Sequence, residues 1–130
     1  MTALIRNITI DCANAYKLAA FWSQVTGYQE DPEDPNEPEH TEALLVAPDG
    51  LARLLFINVP EAKTVKNRVH LDLDISGGPS GGPLEERRRR VDAEVERLLG
   101  LGATRQRAAE ELGGYWVVMQ DPEGNEFCVH

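Results

Sequence analysis

Cysteine is scarce in this sequence, and the two cysteines form no motif. Cys12 and Cys128 stand near opposite ends of a 130-residue chain, without the CxxC spacing of a metal or redox site. We therefore predict two buried thiols and no disulfide. Phosphate-binding loops are also lacking, because the one glycine-rich run, SGGPSGGP at 76–83, has the spacing of neither a dinucleotide-binding fingerprint nor a P-loop.

Long apolar runs and an excess of positive charge are lacking as well. No segment approaches the roughly 20 apolar residues of a membrane helix, and the first residues do not resemble a secretory signal. We expect a cytoplasmic protein with no membrane partner. The 13 basic residues against 22 acidic ones give a net charge of -9, which argues against a nucleic-acid partner. The arginines at 87–90 encircle a predicted helix beside glutamates, a pattern typical of a solvated surface.

The first half of the chain shows a strand, a helix and a hairpin. Residues 5–12 alternate between apolar and polar, which predicts a half-buried strand. Asn14 is placed to cap a helix that runs to about Thr26, and Gly27 is placed to end it. Strands are predicted on either side of the turn Pro48-Asp49-Gly50, at 41–47 and 51–59.

The second half repeats this order after an insertion at 76–83. Its predicted elements are a strand at 68–75, a helix at about 84–99, and strands at 115–120 and 125–129 around Asp121-Pro122-Glu123-Gly124. The stretch 29–42 of the first half is rich in acids and prolines, so we predict a surface loop there. The chain therefore carries an internal duplication.

The residues that open and close the second copy carry a resemblance to a known family. Asn67-Arg68-Val69-His70-Leu71-Asp72 opens it, and Asp121-Pro122-Glu123-Gly124-Asn125-Glu126-Phe127 closes it. Together with the duplication, these segments resemble the vicinal oxygen chelate superfamily and, within it, the glyoxalase-like and bleomycin-resistance-like proteins. The resemblance implies one α+β domain, 1–130, in which two βαβββ modules, 1–62 and 63–130, form a curved eight-stranded mixed sheet around a cleft. It also implies a homodimer.

Enzymatic members of this family hold a divalent metal through a His on the first strand and a Glu near the last strand of each half. His70 and Glu126 match the second-half positions, whereas Asn7 replaces the first-half His and Leu54 or Phe56 is expected at the position of the first-half acid. A catalytic metal site typically needs three protein ligands. We therefore predict either no cofactor, or a divalent metal bound weakly by His70 and Glu126. Two further histidines, His40 and His130, could add a ligand, but nothing in the sequence positions either one at this site.

Two functions from different classes follow. The leading interpretation is a protein that binds a small molecule, such as an antibiotic or a metabolite, without altering it; the acidic surface favours a neutral or cationic ligand. The alternative is a lyase or isomerase of the glyoxalase type, in which His70 and Glu126 act as metal ligands or as an acid-base pair. A structural or regulatory module with an unused cleft is a third interpretation. Strand parity places Thr9 and Cys128 on the same side as the polar site residues, and the predicted ligand contacts are Asn7, Trp22, Phe56, Asp72 and Trp116.

Overall fold

The first repeat forms a strand, a helix and two further strands. The computed structural model describes residues 1–130, which fall into two compact units, the first repeat (1–63) and the second repeat (64–130). The elements of the first repeat are β1 (Ile8–Cys12), α1 (Ala15–Thr26), β2 (Glu42–Val46) and β3 (Arg53–Asn58). Strand β3 lies between a parallel β1 and an antiparallel β2, which gives a three-stranded sheet of order β1-β3-β2.

Helix α1 begins and ends where its capping residues predict. The Asn14 side chain accepts a hydrogen bond from Lys17 N at 3.0 Å, and Gly27 adopts a left-handed conformation with φ 76° while its N–H bonds to Ser23 O at 2.8 Å. The helix packs on β2 and β3. Its buried face includes Leu18 and Trp22, and the buried side chains of the two strands are Ala43, Leu45, Leu54 and Phe56.

The second repeat is built in the same order and carries one strand more. Its elements are β4 (Leu71–Leu73), α2 (Leu84–Gly100), β5 (Thr104–Glu111), β6 (Gly114–Gln120) and β7 (Glu126–Val129), with a short 3-10 helix at Gly78–Ser80. The sheet order is β4-β7-β6-β5, with β4 parallel to β7 and the other pairs antiparallel. Helix α2 packs on β6 through buried Val91, Val95 and Leu98.

The predicted α+β class is confirmed, but a single eight-stranded sheet is not. Hydrogen bonds define one sheet of three strands and one of four. The strand that the first repeat lacks would lie beside β2, where only Gln29 and Val46 form an isolated bridge. Prolines at 32, 35 and 38 follow in the acidic loop, and proline cannot donate to a sheet ladder, so no strand forms there.

Both opening strands are shorter than the alternation predicts. Strand β1 begins at Ile8 rather than at residue 5, and β4 covers only Leu71–Leu73 of the predicted 68–75. The partner strands limit the length of both. Ile8 pairs with the second residue of β3 and Leu71 with the second residue of β7, so little of either partner strand is left to pair with earlier residues. Consequently, Asn7 and His70 lie just outside their strands. Both predicted thiols are confirmed as free and buried.

Candidate functional site

A polar cluster forms on one face of the β4–β7 pair in the second repeat. Asp72 and Cys128 are directly opposite each other in the parallel register. His70 and His130 lie two residues before Asp72 and two residues after Cys128, so parity directs all four toward the same face. Ligand atoms of His70, Asp72 and Cys128 all lie within 4.8 Å of one another. The sheet register thus gathers an imidazole, a carboxylate and a thiol.

The Asp72 carboxylate is the centre of this cluster. Its Oδ1 lies 3.9 Å from His70 Nδ1 and 3.6 Å from His130 Nε2. Burial raises the pKa of the Cys128 thiol, and the charge of Asp72 and a hydrogen bond with it raise that pKa further. The thiol is therefore held in its neutral form when no cation is bound.

His130 is positioned by one ring contact and by backbone hydrogen bonds. Trp116 of β6 stacks on it with ring centroids 5.8 Å apart and an interplanar angle of 21°. The backbone of His130 donates to Leu73 O at 2.7 Å and accepts from Ile75 N and Ser76 N. Sequence reasoning gave this histidine no position. Two sequence patterns could have indicated its place. His-x-Asp at 70–72 runs into β4, and Cys-x-His at 128–130 ends β7, the strand that pairs with β4.

Glu126 opens β7 and shares the parity of Cys128, but it is not one of the three residues whose ligand atoms lie within 4.8 Å of one another. Its side chain is buried, and its Oε2 accepts a hydrogen bond from Asn67 N at 2.9 Å. This hydrogen bond fixes the backbone at Asn67, three residues before His70. One of its oxygens is already engaged, which leaves fewer free electron pairs for a metal than an unbound carboxylate would offer.

A cavity of about 220 Å³ lies in the first repeat, between the acidic loop and the sheet. Asn7 lies in its wall, and Asn7 Oδ1 is a buried acceptor without a hydrogen-bond partner. The loop side of the cavity is fixed by Asn36, whose amide donates to Leu44 O and accepts from Leu44 N, both at 3.0 Å. The charged and titratable lining residues are Arg6, Asp34, His40, Glu42 and Arg53.

Strand register identifies Arg53 as the first-repeat counterpart of Glu126. Ile8 pairs with Leu54 as Leu71 pairs with Phe127. One residue earlier on each strand, Asn7 therefore matches His70 and Arg53 matches Glu126. The expectation of Leu54 or Phe56 at this position is wrong, because both are buried in the core and neither lines the cavity.

Two of the aromatic residues predicted to contact a ligand lie in the core instead. Trp22 is 1 % exposed and packs edge-to-face on Phe21, with centroids 5.5 Å apart. Phe56 has no exposed surface at all. Neither ring offers a face to a ligand, because helical core spacing on α1 and the inward parity of β3 bury them. Trp116 and Asp72 remain partly accessible.

The fold defines a duplicated protein of one βαββ unit and one βαβββ unit, which belongs to the vicinal oxygen chelate class. The chain belongs to the glyoxalase-like domain family, whose model matches residues 7–130. No curated protein matches the sequence significantly. No helix of the structure has the length and apolar character required to cross a membrane.

Solved structures of similar fold agree with this assignment. A glyoxalase/bleomycin resistance protein/dioxygenase family enzyme from Burkholderia phytofirmans PsJN is 23 % identical, with TM-score 0.71 and coverage of 98 % of this chain and 97 % of the other. A variant of the fosfomycin resistance protein FosX from Listeria monocytogenes, complexed with Mn(II) and 1S,2S-dihydroxypropylphosphonic acid, is 18 % identical, with TM-score 0.70 and coverage of 100 % and 90 %. A possible glyoxalase from Bacillus cereus is 16 % identical, with TM-score 0.66 and coverage of 96 % of each chain. At these identities the likeness concerns the fold.

Proposed function

We propose that this protein binds a small polar molecule, such as an antibiotic or a metabolite, in the cavity of the first repeat. The observation that carries the proposal is the unpartnered Oδ1 of Asn7, buried in the wall of that cavity. Leaving a buried acceptor without a donor costs about 1 to 3 kcal/mol of folding stability. A ligand that donates a hydrogen bond to Asn7, once a rotation of the amide turns Oδ1 toward the cavity, would recover that energy on binding.

The charges around the cavity indicate the chemistry of the ligand. Arg53 and Arg6 offer cationic donors, whereas Asp34 and Glu42 offer carboxylates. A molecule with both an acidic group and hydroxyl or amino donors matches these groups: its acidic group pairs with the arginines, and its donors bond to the carboxylates and to Asn7. The volume corresponds to roughly seven water molecules, so the ligand is smaller than most drug-sized compounds. This refines the expectation of a neutral or cationic ligand, because the local wall is less acidic than the whole chain.

The FosX relative supports the choice of a first probe. The compound bound to that protein, 1S,2S-dihydroxypropylphosphonic acid, combines hydroxyl donors with an acidic group. We expect this compound to shift the NMR signals of residues around the cavity, with Asn7 and Arg53 among them. Shifts confined to the second repeat would contradict the assignment of the cavity.

A matched pair of amide substitutions tests the role of Asn7. Asn7→Leu removes the unpartnered acceptor, so it should raise the free energy of unfolding by about 1 kcal/mol while it weakens binding of the probe. Asn36→Leu removes two satisfied hydrogen bonds in the same cavity and should lower stability by about 2 kcal/mol. Chemical denaturation measures both. If Asn7→Leu destabilised the protein as Asn36→Leu does, the Asn7 amide would be a structural group and the proposal would fail.

An enzyme of the glyoxalase type is the second candidate. It is favoured by the retention of His70 and Glu126 and by the Mn(II) complex of the FosX relative. In this chain His70 and Glu126 would hold a divalent ion, which would polarise an oxygen of the substrate. Arg53 and Asn7 at the matching first-repeat positions supply neither an anionic ligand nor an imidazole, so the family set is incomplete. Measurable Mn²⁺ binding that is lost in Glu126→Gln would favour this candidate.

We further propose that the protein is a cytoplasmic homodimer. The free thiols of both cysteines suit a reducing compartment. An exposed apolar side chain lies at the start of each parallel edge strand: Ile8, the first residue of β1, is 42 % exposed, and Val69, two residues before β4, is 74 % exposed. Light scattering should therefore give about twice the chain mass of 14.4 kDa. A mass near that of one chain at micromolar concentration would refute the dimer.

A further inference from the structure

Strand β5 is an open edge of the second-repeat sheet. It stands last in the order β4-β7-β6-β5, and all of its residues are exposed except Ala109, which is half-buried. The corresponding edge of the first repeat is β2, which forms a bridge with Gln29 at the start of the acidic loop. An edge strand presents unpaired N–H and C=O groups to any strand that reaches it. The second repeat therefore exposes a pairing surface that the first repeat partly covers.

The turn after β5 fixes the hydrogen-bonding phase of the strand. Leu112 and Gly113 form a two-residue turn with φ of 50° and 74°, and Glu111 pairs with Gly114 across it. The residues that flank a two-residue hairpin turn form a hydrogen-bonded pair, so Glu111 bonds to β6.

The alternation of the ladder then directs other backbone groups of β5 to the open edge. Counting back from the turn, Ala109 also bonds to β6, whereas Ala108 and Glu110 point their N–H and C=O groups away from it. The only register shift in the β5–β6 pair lies between Arg105 and Arg107. The run 107–111 is therefore regular and free to accept a further strand.

We propose that two copies of this chain pair through β5, antiparallel and about a two-fold axis at Ala109. In this register, Arg107 lies opposite Glu111 of the partner subunit, and Glu111 lies opposite the partner subunit's Arg107. Ala108 and Glu110 lie opposite each other across the axis, where their outward backbone groups exchange hydrogen bonds. The same patch thus serves both copies, as an isologous contact requires.

The charges select a second copy of this chain as the partner. Charged side chains on an edge strand commonly prevent pairing, but here both signs are present and the two-fold axis sets opposite charges against each other. Arg107 and Glu111 share one face of β5, and neither forms an ion pair within its own chain. A parallel alignment would set each arginine against its own copy, and like charges directly opposite are destabilising.

This contact goes beyond the proposed homodimer, because it lies at the opposite edge of the sheet from β4 and does not involve Val69. Five residues on each side form a small interface, so we expect a transient contact that is better detected by a covalent link than by mass.

A cysteine on the axis tests the contact in the whole chain. The Cα atoms of an opposed pair that is not hydrogen-bonded lie about 4.5 Å apart, within the range of a disulfide. Ala109→Cys should therefore give a covalent dimer on mild oxidation, seen on a non-reducing gel. Thr104→Cys is the matched control, because this exposed residue of the same strand would lie about 30 Å from its copy. The unchanged protein should give no link, since Cys12 and Cys128 are buried.

A charge exchange tests the register. Arg107→Glu and Glu111→Arg, each made in the Ala109→Cys chain, should each slow the link by at least about 10-fold at low ionic strength, because like charges then meet on both sides of the axis. A mixture of the two variants should restore the rate and give the mixed dimer, which mass spectrometry identifies. Both positions are exposed, so neither change should disturb folding.

Three results would overturn the β5 contact: Ala109→Cys linking no faster than Thr104→Cys, the single charge variants linking at an unchanged rate, or a mixture that links no faster than either variant alone. Light scattering tests the proposed homodimer separately. A protein of twice the chain mass without the link at position 109 would retain the homodimer and lose only the β5 contact.

Discussion

The second repeat completes a four-stranded sheet, whereas the first repeat, built in the same order, stops at three strands and one bridge at Gln29. The missing strand falls in the proline-containing acidic loop, which borders a cavity instead of continuing the ladder. In the second repeat the same part of the sheet is β5, which pairs along its length with β6. The comparison teaches that one interrupted strand can convert a sheet edge into a pocket wall.

The two repeats also differ in charge at matching positions. His70 and Glu126 of the second repeat correspond to Asn7 and Arg53 of the first. A permanent cation therefore stands at the first-repeat position that matches Glu126, and it would repel a divalent ion there. The duplicated scaffold therefore carries a polar cluster around Asp72 in the second repeat and a mixed polar cavity in the first.

The largest effect is expected from a test of the register that supports this comparison. Phe56→Glu would place a carboxylate in the core, so it should lower the free energy of unfolding by more than about 3 kcal/mol or prevent folding. Arg53→Glu, at the partly exposed position that matches Glu126, should change it by less than about 1 kcal/mol. Urea denaturation distinguishes the two. Equal tolerance at both positions would mean that Arg53 is not the counterpart of Glu126.

Local patterns of the sequence predicted much of the fold. Caps and periodicity placed α1 from Ala15 to Thr26, and the helical stripe of Val91, Val95 and Leu98 placed α2 within one residue at its carboxyl end. The glycines after the helices and in the hairpins kept the same order in both halves. These features are local, so a single sequence carries them.

The register of β3 could not be predicted in the same way. Six residues, 47–52, connect β2 to β3, whereas five, 121–125, connect β6 to β7. An alignment of the two halves on Gly50 and Gly124 therefore displaces the residues of β3 by one position from their counterparts in β7. A shift of one residue moves every side chain of a strand to the other face. This is why Phe56 was expected in the site and Arg53 was missed. The place of His130 depends on the β4–β7 pairing, which is a long-range contact that periodicity does not specify.

A smaller difference in stability is expected between the hairpin turns that precede β3 and β7. Asp121 is 2 % exposed, and its carboxylate accepts hydrogen bonds from Glu123 N, Asn125 N and Asn125 Nδ2 at 2.9 to 3.0 Å. Asp121→Ala should lower the free energy of unfolding by about 3 kcal/mol, because three donors lose a charged acceptor. Asp49 in the first hairpin is exposed and accepts only from Leu51 N, so Asp49→Ala should cost less than about 1 kcal/mol. Similar losses measured by thermal and urea unfolding would show that the second hairpin is not the more strongly fixed one.

The smallest effect concerns Tyr115, which ties β6 to α2 in the second repeat and has no counterpart in the first. Its hydroxyl donates to Asp92 Oδ1, and the Arg88 guanidinium lies 4.8 Å from the ring centroid. Tyr115→Phe should therefore lower the free energy of unfolding by about 1 kcal/mol at neutral pH, whereas Tyr16→Phe, on the exposed face of α1, should change it by less than about 0.5 kcal/mol.

The pH dependence of this contribution follows from the same contact. Burial raises the pKa of Tyr115 above its ordinary value of 10.0, and the hydrogen bond to Asp92 raises it further. Above pH 10.0 the unfolded chain loses the tyrosine proton before the folded protein does, so the stability that Tyr115 provides is fully present below that pH and declines as the pH rises through the folded pKa. Urea denaturation from pH 8 to 11 should show the difference between the unchanged protein and Tyr115→Phe shrinking at the alkaline end. A difference that stays constant or grows over this range would mean that the protonated hydroxyl is not the stabilising form.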